Sequence, residues 1–279
     1  MIWQCRHRSL SLARPVVMGI LNITPDSFSD GGRYAVLDAA LARAERLIAE
    51  GAAILDIGGE STRPGASAVS ENEEIARIVP VIEALQGRCD VPISVDTSKL
   101  AVMAAAVSAG ACIVNDVFAL RAPGARAWAA EAEVGVCLMH MQGEPRTMQA
   151  EPRYLDVVAE VGAFLAAQRE ACLAAGVAAD RIVLDPGIGF GKTLEHNLRL
   201  LKALPSLHRL GAPLLVGVSR KNFLGRVLGG RDLDQRLAGG LGAAAWSVAM
   251  GVQIIRSHDV AATRDAIEVV AAIMKGTES

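Results

Sequence analysis

A chain of 279 residues with 52% hydrophobic content can bury a large core without disulfides. Its net charge is only −2, with signs mixed along the chain and just three Trp, two Tyr and five Phe. No basic, aromatic-studded surface results, which argues against a nucleic-acid partner, and no run is long and apolar enough to span a bilayer, so no membrane partner is expected.

Five cysteines, Cys5, Cys89, Cys112, Cys137 and Cys172, lie far apart with no C-x-x-C pair. That pattern fits reduced, mostly buried thiols and a cytoplasmic location. The opening MIWQCRHRSL is basic but has no sustained apolar stretch, so no signal peptide is expected.

Residues 1–14 read as a short arm or cover strand, and 15–279 as one domain. From Pro15 onward an apolar strand, a polar or Gly-rich loop and a helix recur. Strand one covers 16–21 and ends at Asn22; a long Pro/Gly-rich loop and a helix over 35–50 follow, stopped by Gly51. Strand two covers 53–57, with Asp56 inside it. Its loop is again Gly/Pro-rich, and its helix covers 71–85. Strand three covers 92–95 and ends at Asp96, with Thr97 and Ser98 expected to cap the next helix. Strand four covers 112–114 and runs into Asn115 and Asp116. Strand five covers 135–139 and ends at His140, and a long helix covers 155–175.

Strand six lies in the stretch RIVLDPGIGFGKT, residues 181–193. A short β-branched run ends at Asp185, Gly/Pro residues force a turn, and Thr193 starts a helix. The stretch is not a Walker A loop, because Pro186 stands where the first Gly belongs. Nor is it a dinucleotide fingerprint, because Lys192 holds the last Gly position. Strand seven covers 214–218 and leads into Ser219, Arg220 and Lys221. A helix over 233–250 precedes strand eight, 253–256, which runs into Ser257, His258 and Asp259. A last helix ends near Lys275.

Eight strand–helix units predict an α/β fold of the (β/α)₈ TIM-barrel type, with a doubly wound open sheet as the alternative. In a barrel, Asn22, Asp96, Asn115, Asp185, Lys221, Arg256 and His258 converge on one face, at the strand C-termini. Asp96, Asn115 and Asp185 suit a flat heterocycle with amino and carbonyl edges, and Lys221 a ring carbonyl or nitrogen. Arg256 and His258, with Asn22 across the barrel, suit an anion, and an Asn carbonyl can help hold a Mg²⁺ that already carries phosphate oxygens. The site reads as a ring at the bottom and an oxyanion at the rim. The first two loops can close over a reaction and exclude water.

In order along the chain, MGILNITPDSFSDGG, LDIGGESTRPGA, ISVDTSK, IVNDV, LMHMQGEPRTMQ, LDPGIGFGKTLEHNLRLL, GVSRKNFLG and IIRSHDV closely resemble the dihydropteroate synthase family, over residues 16 to about 260. The resemblance implies a folate-pathway transferase. It joins 6-hydroxymethyl-7,8-dihydropterin diphosphate to p-aminobenzoate, giving 7,8-dihydropteroate and pyrophosphate, with Mg²⁺ as cofactor. By similarity Asp96, Asn115, Met139, Asp185, Gly189, Gly217 and Lys221 would bind the pterin. Asn22, Thr62, Arg256 and His258 would bind the diphosphate, Asn22 also its Mg²⁺. Phe28, Thr62, Arg63, Pro64, Phe190, Ser219 and Lys221 would form the p-aminobenzoate pocket, with Asp26 brought in by the first loop. Asp185, Lys221, Asp96 and Arg256 would carry the catalysis. The resemblance also implies a homodimer and a sulfonamide target.

Three positions depart from the family pattern. Asn222 follows S-R-K where many relatives carry Ser, Ser257 replaces a common Val, and Gln235 stands for a common Glu. The nearest rivals are a methyltetrahydrofolate-binding methyltransferase domain, which has no need of Asn22, Arg256, His258 or the S-T-R-P loop, and a non-catalytic pterin-binding paralogue, which would have lost some of them. All are present here.

Overall fold

The computed structural model describes residues 1–23, 33–61, 68–144 and 147–276. Two short antiparallel strands, β1 (Ile2–Cys5) and β2 (Arg8–Ser11), form a hairpin at the start. Eight parallel strands follow: β3 (Val16–Asn22), β4 (Ile54–Gly58), β5 (Ile93–Asp96), β6 (Ile113–Asp116), β7 (Gly135–Met139), β8 (Ile182–Asp185), β9 (Leu215–Gly217) and β10 (Ile254–Ser257). Parallel strands covered on both faces need apolar residues at nearly every position. Accordingly β4, β6, β7 and β8 are buried along their whole length.

The strands are ordered β8-β7-β6-β5-β4-β3-β10-β9. A parallel bridge between Leu184 and Leu214 joins the two ends, reinforced by the Leu184 N–H donating to the Pro213 carbonyl at 2.9 Å. The sheet therefore closes on itself as the expected (β/α)₈ barrel.

The helices that alternate with these strands are α1 (Arg33–Ala49), α2 (Glu71–Leu85), α3 (Leu100–Ala109), α4 (Ala125–Glu131), α5 (Val157–Ala174), α6 (Leu194–Lys202), α7 (Leu204–Leu207), α8 (Asn222–Val227), α9 (Leu237–Ala249) and α10 (Val260–Lys275). None of them is long and apolar enough to cross a membrane. Helix α4 was not legible in advance: it is short and opens on Gly124 in the left-handed conformation, with no capping side chain. The expected cap by Thr97 and Ser98 is corrected. The N-cap of α3 is Lys99, without a side-chain cap bond, and the Thr97 hydroxyl instead accepts from the Lys99 N–H at 3.3 Å. Thr193 does cap α6, in a reciprocal pair with His196 at 3.2 Å.

Apolar packing has two principal layers. One fills the space between strands and helices. The other fills the barrel floor, where Met18, Ile54, Ile113, Val183 and Ile254 meet Trp3 and Cys5 of the hairpin. The indole N–H of Trp3 donates to the Arg181 carbonyl at 2.8 Å. Gly135 is a glycine because an added Cβ would stand 2.8 Å from the Cys5 sulfur. The hairpin thus plugs the N-terminal end of the barrel, and the C-terminal end is left for the polar strand ends.

Candidate active site

Most barrel strands carry their chemistry at or near their C-terminal end, so strand register sets the site. Asp96 and Asn115 are register partners on β5 and β6, and Met139 and Asp185 on β7 and β8. A cleft of about 400 Å³ opens over these ends and is lined by Asn22, Asp96, Gly189, Phe190, Gly217, Ser219, Lys221, Arg256 and His258, among others. Asn115, Met139 and Asp185 lie lower and are buried. Phe28, Asp26, Thr62, Arg63 and Pro64 fall outside the described residues.

The base of the cleft is a charge network. Arg256 donates from Nε to Asp56 Oδ2 and from Nη2 to Asp96 Oδ2, both at 2.6 Å. Asn115 Nδ2 donates to the same Asp56 oxygen at 3.1 Å. Burial opposes the guanidinium charge, but Asp56 and Asp96 more than offset it, so Arg256 is held charged more firmly than usual. This corrects the expectation that Arg256 simply faces an anion: its fork is engaged with two carboxylates. It also corrects the placement of Asn22. Strand β10 pairs with β3, so Asn22 stands at the end of the strand adjoining that of Arg256, not across the barrel.

Asp56 is a further functional candidate, an acid inside the otherwise apolar β4. Its residue is fully buried, and its Oδ1 has no hydrogen-bond partner among the described residues. An unpaired buried carboxylate oxygen is costly, so it signals a donor still to arrive. The available clue was a charged residue inside the otherwise apolar run ILDIG.

Asp185 sits at the foot of the opposite wall, where its Oδ1 accepts the Gly187 N–H at 2.7 Å. Burial pushes it up to about 6, against the pull of that hydrogen bond and of Lys221, Lys192 and Arg256. Burial also raises Asp96 above the ordinary carboxylate range, against the pull of Arg256. Lys221 is pushed down to about 8 by burial and by Arg256, with Asp185 and Asp96 pulling the other way. Its Nζ lies 3.9 Å from the centroid of the Phe190 ring, a cation–π contact. Gly189, with φ +85°, lets the chain pass under it, since an added Cβ would come within 3.0 Å of Lys221 Cδ.

At the rim, Ser219 Oγ lies 3.1 Å from His258 Nδ1 and accepts the His258 backbone N–H at 3.3 Å. Between Ser219 and Lys221, Arg220 adopts a left-handed φ of +60°. A bidentate pair with Asp259, at 2.7 and 3.2 Å, holds it there. Asn222 Oδ1 accepts from Arg236 Nη1 at 2.9 Å, so its side chain is already partnered. Of the neighbouring pair on β6, Asn115 faces the network while Asp116 ties the following turn, accepting from Phe118 and Leu120 N–H at 2.8 and 2.7 Å.

Residues 18–258 match a family described as pterin binding enzyme. A dihydropteroate synthase of Neisseria meningitidis serogroup B is 51% identical over 274 residues, covering 96% of each chain. The chain belongs to the dihydropteroate synthase family. Among solved structures, a Yersinia pestis dihydropteroate synthase in complex with a sulfonamide drug superposes with a TM-score of 0.93 at 50% identity, covering 99% of this chain and 100% of that one. A Xanthomonas albilineans dihydropteroate synthase in complex with 7,8-dihydropteroate gives 0.90 at 46% identity, with the same coverage. This family is the one that the strand-end motifs resemble.

Proposed function

We propose that the chain is a dihydropteroate synthase of folate biosynthesis, condensing 6-hydroxymethyl-7,8-dihydropterin diphosphate with p-aminobenzoate. The observation that carries this reading is the set of buried Asp56, Asn115 and Asp185 with half-buried Asp96, gathered with Lys221 and Arg256 at one barrel mouth. Acceptors at that depth suit the amino and ring N–H edge of a pterin. The product named with the Xanthomonas albilineans relative is the one this reaction would form.

The chemistry follows from the donors present. The C–O bond between the pterin methylene and the diphosphate breaks first, and its electrons leave with pyrophosphate. The electron-rich ring stabilises the developing cation, and Asp96 and Asp185, close by, favour it electrostatically in their deprotonated form. His258 faces the departing oxygens from the rim, and Arg256, held charged at the base of the cleft by Asp56 and Asp96, adds positive charge beneath them. The aniline nitrogen of p-aminobenzoate then attacks the methylene carbon and gives up a proton to the departed pyrophosphate or to water, so no covalent nucleophile on the protein is needed. Phe190, Ser219 and Lys221 hold the second ring in line, with Phe28, Thr62, Arg63 and Pro64 assigned to the same pocket by the family pattern.

Mg²⁺ belongs to this proposal as an ion brought by the diphosphate. Among the described residues no cluster of three or more His, Cys, Asp or Glu is placed to hold a metal. Asn22, half-buried in the cleft wall, offers one hard amide oxygen, which suits an ion already wearing phosphate oxygens and water. When bound, the ion neutralises charge on the leaving group. A homodimer through the late helices is also proposed. Helices α9 and α10 pack together and leave Leu237, Trp246, Val269, Ile273 and Met274 exposed, a face that a second copy would cover; sedimentation showing only monomer would remove this part.

The test is chromatographic. The protein, the pterin diphosphate, p-aminobenzoate and Mg²⁺ should give 7,8-dihydropteroate. Absence of that product, with transfer from methyltetrahydrofolate instead, would move the chain to the methyltransferase branch.

A further inference from the structure

Lys192 is a buried amine that the proposed chemistry does not use; burial pushes it down to about 7, and the Asp185 charge pulls it back towards the ammonium form. It is 2% exposed, and no carboxylate lies within ion-pairing distance of it among the described residues. Its ammonium is instead surrounded by neutral acceptors. Gly187 O and Phe190 O lie at 2.9 Å, His140 Nδ1 at 3.0 Å and His140 O at 3.3 Å. An ammonium is a donor only, so His140 must present Nδ1 unprotonated. Burial, and then the Lys192 charge, push His140 down to about 3, which keeps it neutral and accepting.

The acceptors come from two places. His140 ends the β7 wall, and Gly187 and Phe190 belong to the loop between β8 and α6. Lys192 therefore folds its own loop back onto the neighbouring strand end. Two further loop carbonyls are fixed independently: Gly189 O accepts from Gln149 Nε2 at 2.6 Å and Gly191 O from the Tyr154 hydroxyl at 2.8 Å. Gly187 has φ +67°, and an added Cβ would stand 1.9 Å from His140 O, so only glycine permits this approach. The residue pinned by its carbonyl, Phe190, is also the one whose ring meets Lys221 and lines the cleft. It packs against the apolar cluster of Met139, Met141 and Met148.

We propose that Lys192 is a positioning residue for the second substrate: by gathering the Gly187 and Phe190 carbonyls it fixes the Phe190 ring against Lys221, and so shapes the p-aminobenzoate pocket. This rests on the synthase reading. An ammonium suits the task because its three donors can satisfy backbone carbonyls that bulk water does not reach. A methionine of similar length would fill the space and hold none of them.

The test is a double-mutant cycle of Lys192→Met and Phe190→Leu, read in steady-state kinetics and in calorimetric binding of the pterin diphosphate with Mg²⁺. Lys192→Met is expected to raise KM for p-aminobenzoate by about tenfold or more, while pterin-diphosphate affinity stays within roughly threefold. The double variant is expected to be no more than about twofold worse than the worse single variant, because both changes act through the same ring. Independent, multiplying effects on KM would overturn the inference, and so would an equal loss of affinity for both substrates. Should Lys192→Met not fold, Lys192→Gln keeps two N–H donors and enters the same cycle, with a smaller but still p-aminobenzoate-selective rise in KM expected; an unchanged KM there overturns the inference too. Wild-type protein that forms no dihydropteroate would instead defeat the synthase reading itself, before any variant is compared.

Discussion

Asp185 is placed against its own preference. Burial raises it to about 6 although Gly187, Lys221, Lys192 and Arg256 all favour its charge. Its folded pKa lies above its unfolded one, so ionising it costs folding stability. That cost is absent at low pH, sets in as pH rises through the unfolded value of about 4, and is complete above about 6. Asp185→Asn keeps an oxygen for the Gly187 N–H and removes the cost. At pH 8 its Tm is expected to equal or exceed that of the wild type, while pterin affinity and kcat/KM fall together by about a hundredfold or more. Calorimetry and kinetics on one preparation check both halves; near-normal kcat/KM would remove Asp185 from its role. In the wild type, kcat/KM is expected to fall on the acid side with a midpoint between about 6 and about 7, following protonation of Asp185 and Asp96. A limb at the ordinary carboxylate value of about 4 would contradict this. Two residues at this scale were not legible as parts of the site. Asp56 was visible only as an acid inside a strand, because its orphaned oxygen and its bond to Arg256 exist only once β4 and β10 share a barrel. Lys192 entered the sequence reading only as the residue that rules out a dinucleotide fingerprint, because its acceptors are mostly backbone carbonyls, which no side-chain pattern announces.

At the scale of elements, each strand–loop–helix unit was legible where composition forces a boundary. Thr193 reads as a helix start and caps α6, and Gly51 reads as a helix stop and follows α1 with φ +98°. Helix α4 and the cap of α3 were not, since a short helix without a capping side chain leaves little local signal. The loop after β8 is the element most tightly specified by glycine. Gly187→Ala must adopt φ +67° and drive a Cβ into the His140 carbonyl. The conformation alone costs about 1–3 kcal/mol, and the clash adds to it. Both Tm and kcat/KM are expected to fall, measured by thermal melting and by turnover below the melting range. The N-terminal hairpin behaves differently. Trp3 is fully buried in the floor, at the end of the barrel away from the cleft. Trp3→Ala is expected to cost about 3–5 kcal/mol of stability and to leave kcat/KM unchanged at temperatures where the variant is folded. A lowered kcat/KM in fully folded variant protein would show that floor and mouth are coupled.

At the scale of the molecule, closure of the sheet is what turns scattered residues into a site. Asn22 and His258 are 236 positions apart in sequence, yet they end or follow adjoining strands because β10 pairs with β3. The strand-end rule made the gathering of Asn22, Asp96, Asn115, Asp185, Lys221, Arg256 and His258 legible. It did not give their neighbours around the ring: Asn22 is expected across the barrel from Arg256, and pairing of β10, the last strand in the chain, with β3, the first of the barrel, puts it alongside. The same closure divides labour between the ends, with apolar side chains and the hairpin at the floor and charge at the mouth.

The central claim is that this mouth releases pyrophosphate only when a pterin diphosphate and an arylamine meet in it. The most direct measurement is continuous detection of pyrophosphate from the purified protein with the pterin diphosphate, p-aminobenzoate and Mg²⁺, each omitted in turn. The account predicts release that requires all three and that matches dihydropteroate mole for mole. Tight binding of the pterin diphosphate without any pyrophosphate would contradict it and make the protein a binding member of the family.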